Sequence, residues 1–156
     1  MEVTFYFLFL NDPMIKREII MDHYENPRNK GLVDDPRYIK VNMNSESCID
    51  DIDIQILVVD NIIKDFRFDG VGCTISTAST SILSELVIDN DIEHAYNIIK
   101  NYDNMIKELD YDELLLQEAV VFKDVSKQAN RIKCAMIGFN GLLELLDSLK
   151  DGDNHG

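Results

Sequence analysis

The stretch DIDIQILVVDNIIKDFRF has a period of two. Ile52, Ile54, Ile56 and Val58 fall on one side and Asp53 and Gln55 on the other; after Asp60–Asn61 the alternation resumes with Ile62, Phe66 and Phe68. Alternation of this kind, broken by a turn dipeptide, specifies a β-hairpin with one buried face. RYIKVNM, just upstream, supplies a third strand. A sheet this small needs a helical layer over its apolar face.

The flanking segments supply the helices. Asp12 is placed to cap a helix that starts at Pro13, carries Ile15, Ile19 and Ile20 along one side and ends before Pro27. TISTASTSILSELV is rich in small residues, which suits a helix packed closely against a neighbour. NDIEHAYNIIKNYDNMIKEL has a cap at Asn90 or Asp91, and Ile98, Ile99, Met105 and Ile106 among its apolar positions. DYDELLLQEAVVFKDVSKQAN reads as a linking region with one short helix, and RIKCAMIGFNGLLELLDSLK as a long amphipathic helix. The expected fold is α+β: one domain with a small antiparallel sheet of about three strands, covered by helices on one side.

The ends read differently. MEVTFYFLFL is apolar, but no basic residue precedes Lys16 and the run is too short to span a bilayer. Residues 1–13 are expected to be a strand edge or an extension ahead of a domain at 14–150, and DGDNHG, 151–156, a disordered tail.

Twenty-nine acids against 15 bases give a net charge of −14. Nucleic acid and anionic membranes are bound through Lys and Arg, so neither is an expected partner. Three cysteines form no even-numbered disulfide framework, and reduced thiols in a cytoplasmic protein are the expectation.

Cys48 sits among Glu46, Asp50, Asp51 and Asp53. Negative neighbours disfavour a thiolate unless a positive charge is added. A metal ion would add it. Each cysteine also falls at a junction between elements: Cys48 before the hairpin, Cys73 after it, and Cys134 near the start of the last helix. With Asp50, two residues beyond Cys48, they offer three sulfurs and one oxygen, a donor set suited to tetrahedral zinc. Core packing is the competing reading, because free cysteine is among the most buried residue types. The glycines of GVGC point to a backbone held close to something.

IIMDHYENPRNKG, SCIDDIDI, FRFDGVGCTISTASTSI and RIKCAM resemble, in order, the signature blocks of the U-type iron–sulfur assembly proteins (the IscU, NifU N-domain and SufU family), from about Met14 to Leu149. Lys133 stands where the scaffold branch usually has histidine, and the segment between Cys73 and Cys134 is long, as in the SufU branch. The resemblance implies a SufE/NifU-like fold. It also implies zinc held by Cys48, Asp50, Cys73 and Cys134, with Cys48 accepting persulfide sulfur from a pyridoxal-phosphate cysteine desulfurase and passing it to downstream iron–sulfur assembly proteins. Such a protein is part sulfurtransferase and part carrier, and a displaceable Cys48 ligand suits that role. The alternative within the family is a scaffold that binds iron and builds a [2Fe–2S] cluster on the same residues.

Arg131, where the family also has arginine, is read as an electrostatic neighbour of Cys134 that favours thiolate or persulfide; an ordinary surface ion pair is the competing reading. His23 is expected to be structural, and the hydroxyls of TASTSI to serve packing rather than catalysis. Three departures stand out: Ile49 replaces the family's glycine, Glu46–Ser47 replaces Asn-Pro, and KQANRIKC lacks a proline. A β-branched Ile49 reshapes the loop and makes Asp51 a rival oxygen donor to Asp50.

Overall fold

The computed structural model describes residues 2–44 and 49–155, with side chains over 5–44 and 49–151. Strands β1 (Ile39–Asn44), β2 (Asp51–Val59) and β3 (Ile62–Val71) form an antiparallel sheet in that order. Asp60 and Asn61 have φ of 53° and 66°, the left-handed pair that a two-residue hairpin turn requires and that Asp and Asn tolerate.

Ile52, Ile54, Ile56, Phe66 and Phe68 enter the core as the alternation predicts. The far end of the hairpin departs from it. Leu57 pairs with Asp65 and Val58 with Ile63, which leaves Lys64 as an extra residue. One inserted residue reverses the parity of a strand. Ile63 is therefore buried where the alternation assigned Ile62, and Val58 is only half-buried.

Helix α2 (Pro13–Glu25) is capped by Asp12, whose side chain accepts the Met14 N–H. Helix α3 (Thr74–Val87) is buried along most of its length, between α2 on one side and α6 (Ala129–His155) on the other. Its small residues permit this, and its buried hydroxyls bond carbonyls one turn back: Thr80 Oγ1 to Ser76 O at 2.7 Å and Ser84 Oγ to Ser81 O at 2.6 Å. Helix α6 lies over β1 and β2 and crosses α3 at Gly138, where an added Cβ would stand 2.5 Å from Thr80 Oγ1. Helix α4 (Ile92–Ile106), capped by Asp91, braces the back of α6. There the Tyr102 ring stacks on Phe139 and its hydroxyl donates to Ala135 O at 3.0 Å.

Three segments differ from the sequence reading. Glu2–Leu10 is a helix, α1, rather than a strand edge; Leu10 is buried in the core and Phe7 packs against it. The linking region holds the short helix α5 (Glu113–Leu116) and also a 3₁₀ helix, Gln117–Lys127, that buries Ala119, Val120, Val121, Phe122 and Val125. The backbone of α6 is helical to His155, where a disordered tail was expected from residue 151. No described helix is long and apolar enough to cross a membrane.

Candidate metal centre

Three element ends meet at one end of the sheet. Asp50 immediately precedes β2, Cys73 joins β3 to α3, and Cys134 lies in the second turn of α6. One donor atom from each of Asp50, Cys73 and Cys134 lies within 4.8 Å of the others. Cys48, the fourth expected ligand and the expected sulfur acceptor, lies outside the described residues.

The two glycines before Cys73 make the convergence possible. Gly70 has φ of 130°, and a Cβ there would fall 2.2 Å from the Asp51 carbonyl oxygen, so β3 presses on β2 as only glycine allows. A Cβ on Gly72 would meet Ser76 Oγ at 2.8 Å and Thr77 Oγ1 at 2.9 Å. The closeness inferred from GVGC is thus to the neighbouring strand and to the first turn of α3. Cys73 is the N-cap of that helix, with its sulfur accepting the Ser76 N–H at 3.4 Å.

Asp50 is 2% exposed and its two oxygens differ sharply. Oδ1 accepts the Cys73 N–H and the Ser76 hydroxyl, both at 2.9 Å. Oδ2 is buried and has no hydrogen-bond partner among the described residues. An acceptor stranded in this way costs about 1–3 kcal/mol, and more when it carries charge. A cation bound between this carboxylate and the two sulfurs would remove that cost. The donors fit zinc, whose protein sites combine thiolate sulfur with nitrogen or carboxylate oxygen, and thiolates equally suit iron–sulfur chemistry.

The rival oxygen lies outside this group. Asp51 opens β2, is exposed, and accepts the Asn42 side-chain amide at 2.7 Å. Ile49 is 69% exposed, so the side chain that replaces glycine faces solvent while Asp50 faces inward. Arg131 is exposed in the first turn of α6; its backbone N–H donates to Gln128 O, and it makes no ion pair among the described residues.

The HYENPRN block acts at a distance from the centre. His23 is buried, with Nδ1 2.7 Å from Ser81 Oγ and Nε2 3.4 Å from Glu118. The Arg28 N–H donates to the same Ser81 hydroxyl at 2.8 Å, and Asn29 Nδ2 donates to Ser84 Oγ at 2.9 Å. These bonds hold the middle and C-terminal half of α3, and so orient the helix whose first turn carries Cys73. His23 is structural, as expected. Its hydrogen bond holds the Glu118 carboxyl below its ordinary range, while Arg28 does the same for Asp22.

Ser76 is the site residue that sequence reasoning missed. In a run of small hydroxyl residues it has no compositional signal. Its position does carry one: three residues after an N-cap, the first turn of a helix returns to the capping side chain.

The NifU-like N terminal domain model matches residues 15–140 of the chain. The chain is 39% identical over 127 residues to the Bacillus subtilis (strain 168) protein named zinc-dependent sulfurtransferase SufU, covering 81% of this chain and 85% of that one. It is 30% identical over 136 residues to the Thermotoga maritima protein named iron-sulfur cluster assembly scaffold protein IscU, covering 87% of this chain and 95% of the relative. The crystal structure of a nitrogen-fixing NifU-like protein (N-terminal) from Brucella abortus superposes with a TM-score of 0.78 at 17% identity, over 86% of this chain and 93% of that one, a likeness of fold.

Proposed function

Because the chain belongs to the family of NifU-like N terminal domains, we propose that it is an iron–sulfur cluster assembly protein of the SufU type, a sulfur acceptor built on zinc. In this reading Cys48, Asp50, Cys73 and Cys134 hold the metal, and Cys48 takes sulfur from the persulfide of a pyridoxal-phosphate cysteine desulfurase for delivery to downstream assembly proteins. The observation that carries it is the buried Asp50 Oδ2, without a hydrogen-bond partner among the described residues, beside the thiols of Cys73 and Cys134. The 39% identity to a protein named zinc-dependent sulfurtransferase supports the choice of zinc.

Bound zinc would supply the positive charge that keeps thiolates deprotonated in so acidic a neighbourhood. The chain's own contribution is positional. Asp50 is held at Oδ1 by two donors, Cys73 is fixed by the α3 cap, and Cys134 is set by the close crossing of α6 over α3. In the transfer step the Cys48 thiolate attacks the terminal sulfur of the donor's persulfide. A new S–S bond forms at Cys48 as the donor's S–S bond breaks. The desulfurase cysteine leaves as a thiolate with the bonding pair, and a proton on the transferred sulfur travels with it. Oxidation level is conserved, so the exchange needs no other reagent. Exposed Arg131, three residues before Cys134, would add positive charge that favours thiolate or persulfide near the site.

The test is incubation with a cysteine desulfurase and cysteine, followed by mass spectrometry of the intact chain and its peptides. A gain of one sulfur atom at Cys48, lost in Cys48→Ser, is expected. A gain at Cys73 or Cys134, or none, would refute it. The scaffold reading draws on the 30% identity to a protein named IscU; a visible chromophore that survives desalting after anaerobic reconstitution would favour it.

A further inference from the structure

Ser76 touches two of the three described donors at once. Its backbone N–H reaches Cys73 Sγ at 3.4 Å, and its hydroxyl lies 2.9 Å from Asp50 Oδ1. The same hydroxyl is also 3.1 Å from Cys73 O and 3.4 Å from Cys73 Sγ. A serine has one proton to give, and an ionised carboxylate is the strongest of these acceptors. The side chain is fully buried, so water does not compete for it. Gly72 keeps its place open, since a Cβ there would press on Ser76 Oγ at 2.8 Å.

Resting on the metal-site reading above, we propose that Ser76 is a positioning residue that occupies Asp50 Oδ1 and so reserves Oδ2 as the one oxygen offered to the metal. With Oδ1 held by the Ser76 hydroxyl and the Cys73 N–H, the carboxylate can neither rotate nor close on the ion through both oxygens. Asp50 then acts as a rigid, single-oxygen ligand. Partners of this kind orient a ligand, and their loss typically weakens metal affinity about 10- to 100-fold.

The test is a double-mutant cycle on zinc affinity, read by competition with a chromophoric chelator. Ser76→Ala should weaken zinc about 10- to 100-fold in the wild-type chain. In an Asp50→Ala background the same change should alter affinity less than about twofold, because its route to the metal has gone. Gly72→Ala, which displaces the hydroxyl without removing it, should repeat this pattern and provides a second variant should Ser76→Ala fold poorly. Equal losses in both backgrounds would mean that Ser76 acts through Cys73 or the fold, and would overturn the inference. No loss in either would do the same. A wild-type chain that binds no zinc would overturn the metal-site reading, and this inference with it.

Discussion

Gly138 sets the distance between α6 and α3, and replacing it with alanine tests whether that distance is as tight as the geometry requires. The new Cβ would stand 2.5 Å from Thr80 Oγ1 and 3.1 Å from both Cβ and Cγ2 of the same residue. An ordinary contact begins near 3.4 Å, so the overlap is about 0.9 Å. Thr80 cannot rotate out of the way, because its hydroxyl is bonded to Ser76 O at 2.7 Å and its other atoms crowd the same point. The helices must separate. Overpacking of this kind costs about 1–3 kcal/mol, and alanine returns about 1 kcal/mol of helix propensity. The net is a loss of about 1 kcal/mol, or about 2–4 °C in a domain of this size. Gly141→Ala is the matched control. It carries the same propensity gain, but its Cβ meets Ile54 Cδ1, the tip of its side chain, at 2.5 Å and Cγ of the flexible Met43 at 3.0 Å. Urea melts at constant slope should rank Gly138→Ala below the wild type and Gly141→Ala at or above it. Gly138 lies one turn beyond Cys134, so Gly138→Ala should also weaken zinc while Gly141→Ala does so less. Equal stability of the two variants would refute the account of the crossing.

Three further outcomes follow from the charge and hydrogen-bond pattern. The Tyr38 phenol is pushed up to about 12, first by its hydrogen bond to Asp65; Asp65→Asn should bring it down in an ultraviolet titration. Because the folded value is raised, the stabilisation this tyrosine contributes is full below about pH 10 and lost as pH climbs toward 12. Glu118 is depressed, chiefly by its hydrogen bond to His23, so its contribution is full above the ordinary carboxylate range and lost as pH falls through the depressed value. Glu118→Gln should flatten that acid limb in melts across pH. Tyr102→Phe removes the donor to Ala135 O and should cost about 1 kcal/mol in urea melts.

Where one periodicity governed a segment, the sequence was readable. Ile52, Ile54 and Ile56 kept their alternation, the Asp60–Asn61 turn took left-handed geometry, and Asp12 capped α2. Where two periods compete, it was not. The bulge at Lys64 leaves no mark of its own, yet it exchanges Ile62 for Ile63 in the core. The run Gln117–Lys127 buries Ala119 through Phe122 in succession, a pattern that matches neither an α-helical stripe nor a strand, and so read as linker. In α1 the apolar residues lie all round the helix, leaving Phe5 and Leu8 exposed while Leu10 is buried, so no face could be picked out in advance. At the site, cysteine types and junction positions were legible. The preference for Asp50 over Asp51 was not, because it depends on where β2 begins pairing: Asp51 lies opposite Asn44 and Val71, and Asp50 falls just outside the ladder.

The central claim is that Cys48, Asp50, Cys73 and Cys134 form a zinc site, and metal content addresses it most directly. Zinc and iron per chain should be measured by elemental analysis on anaerobically purified protein, with Cys48→Ser and Asp50→Ala alongside. The account predicts about one zinc per chain, little iron, and clear loss of zinc in both variants. Absence of zinc from the wild type, or full zinc retained in both variants, would contradict it.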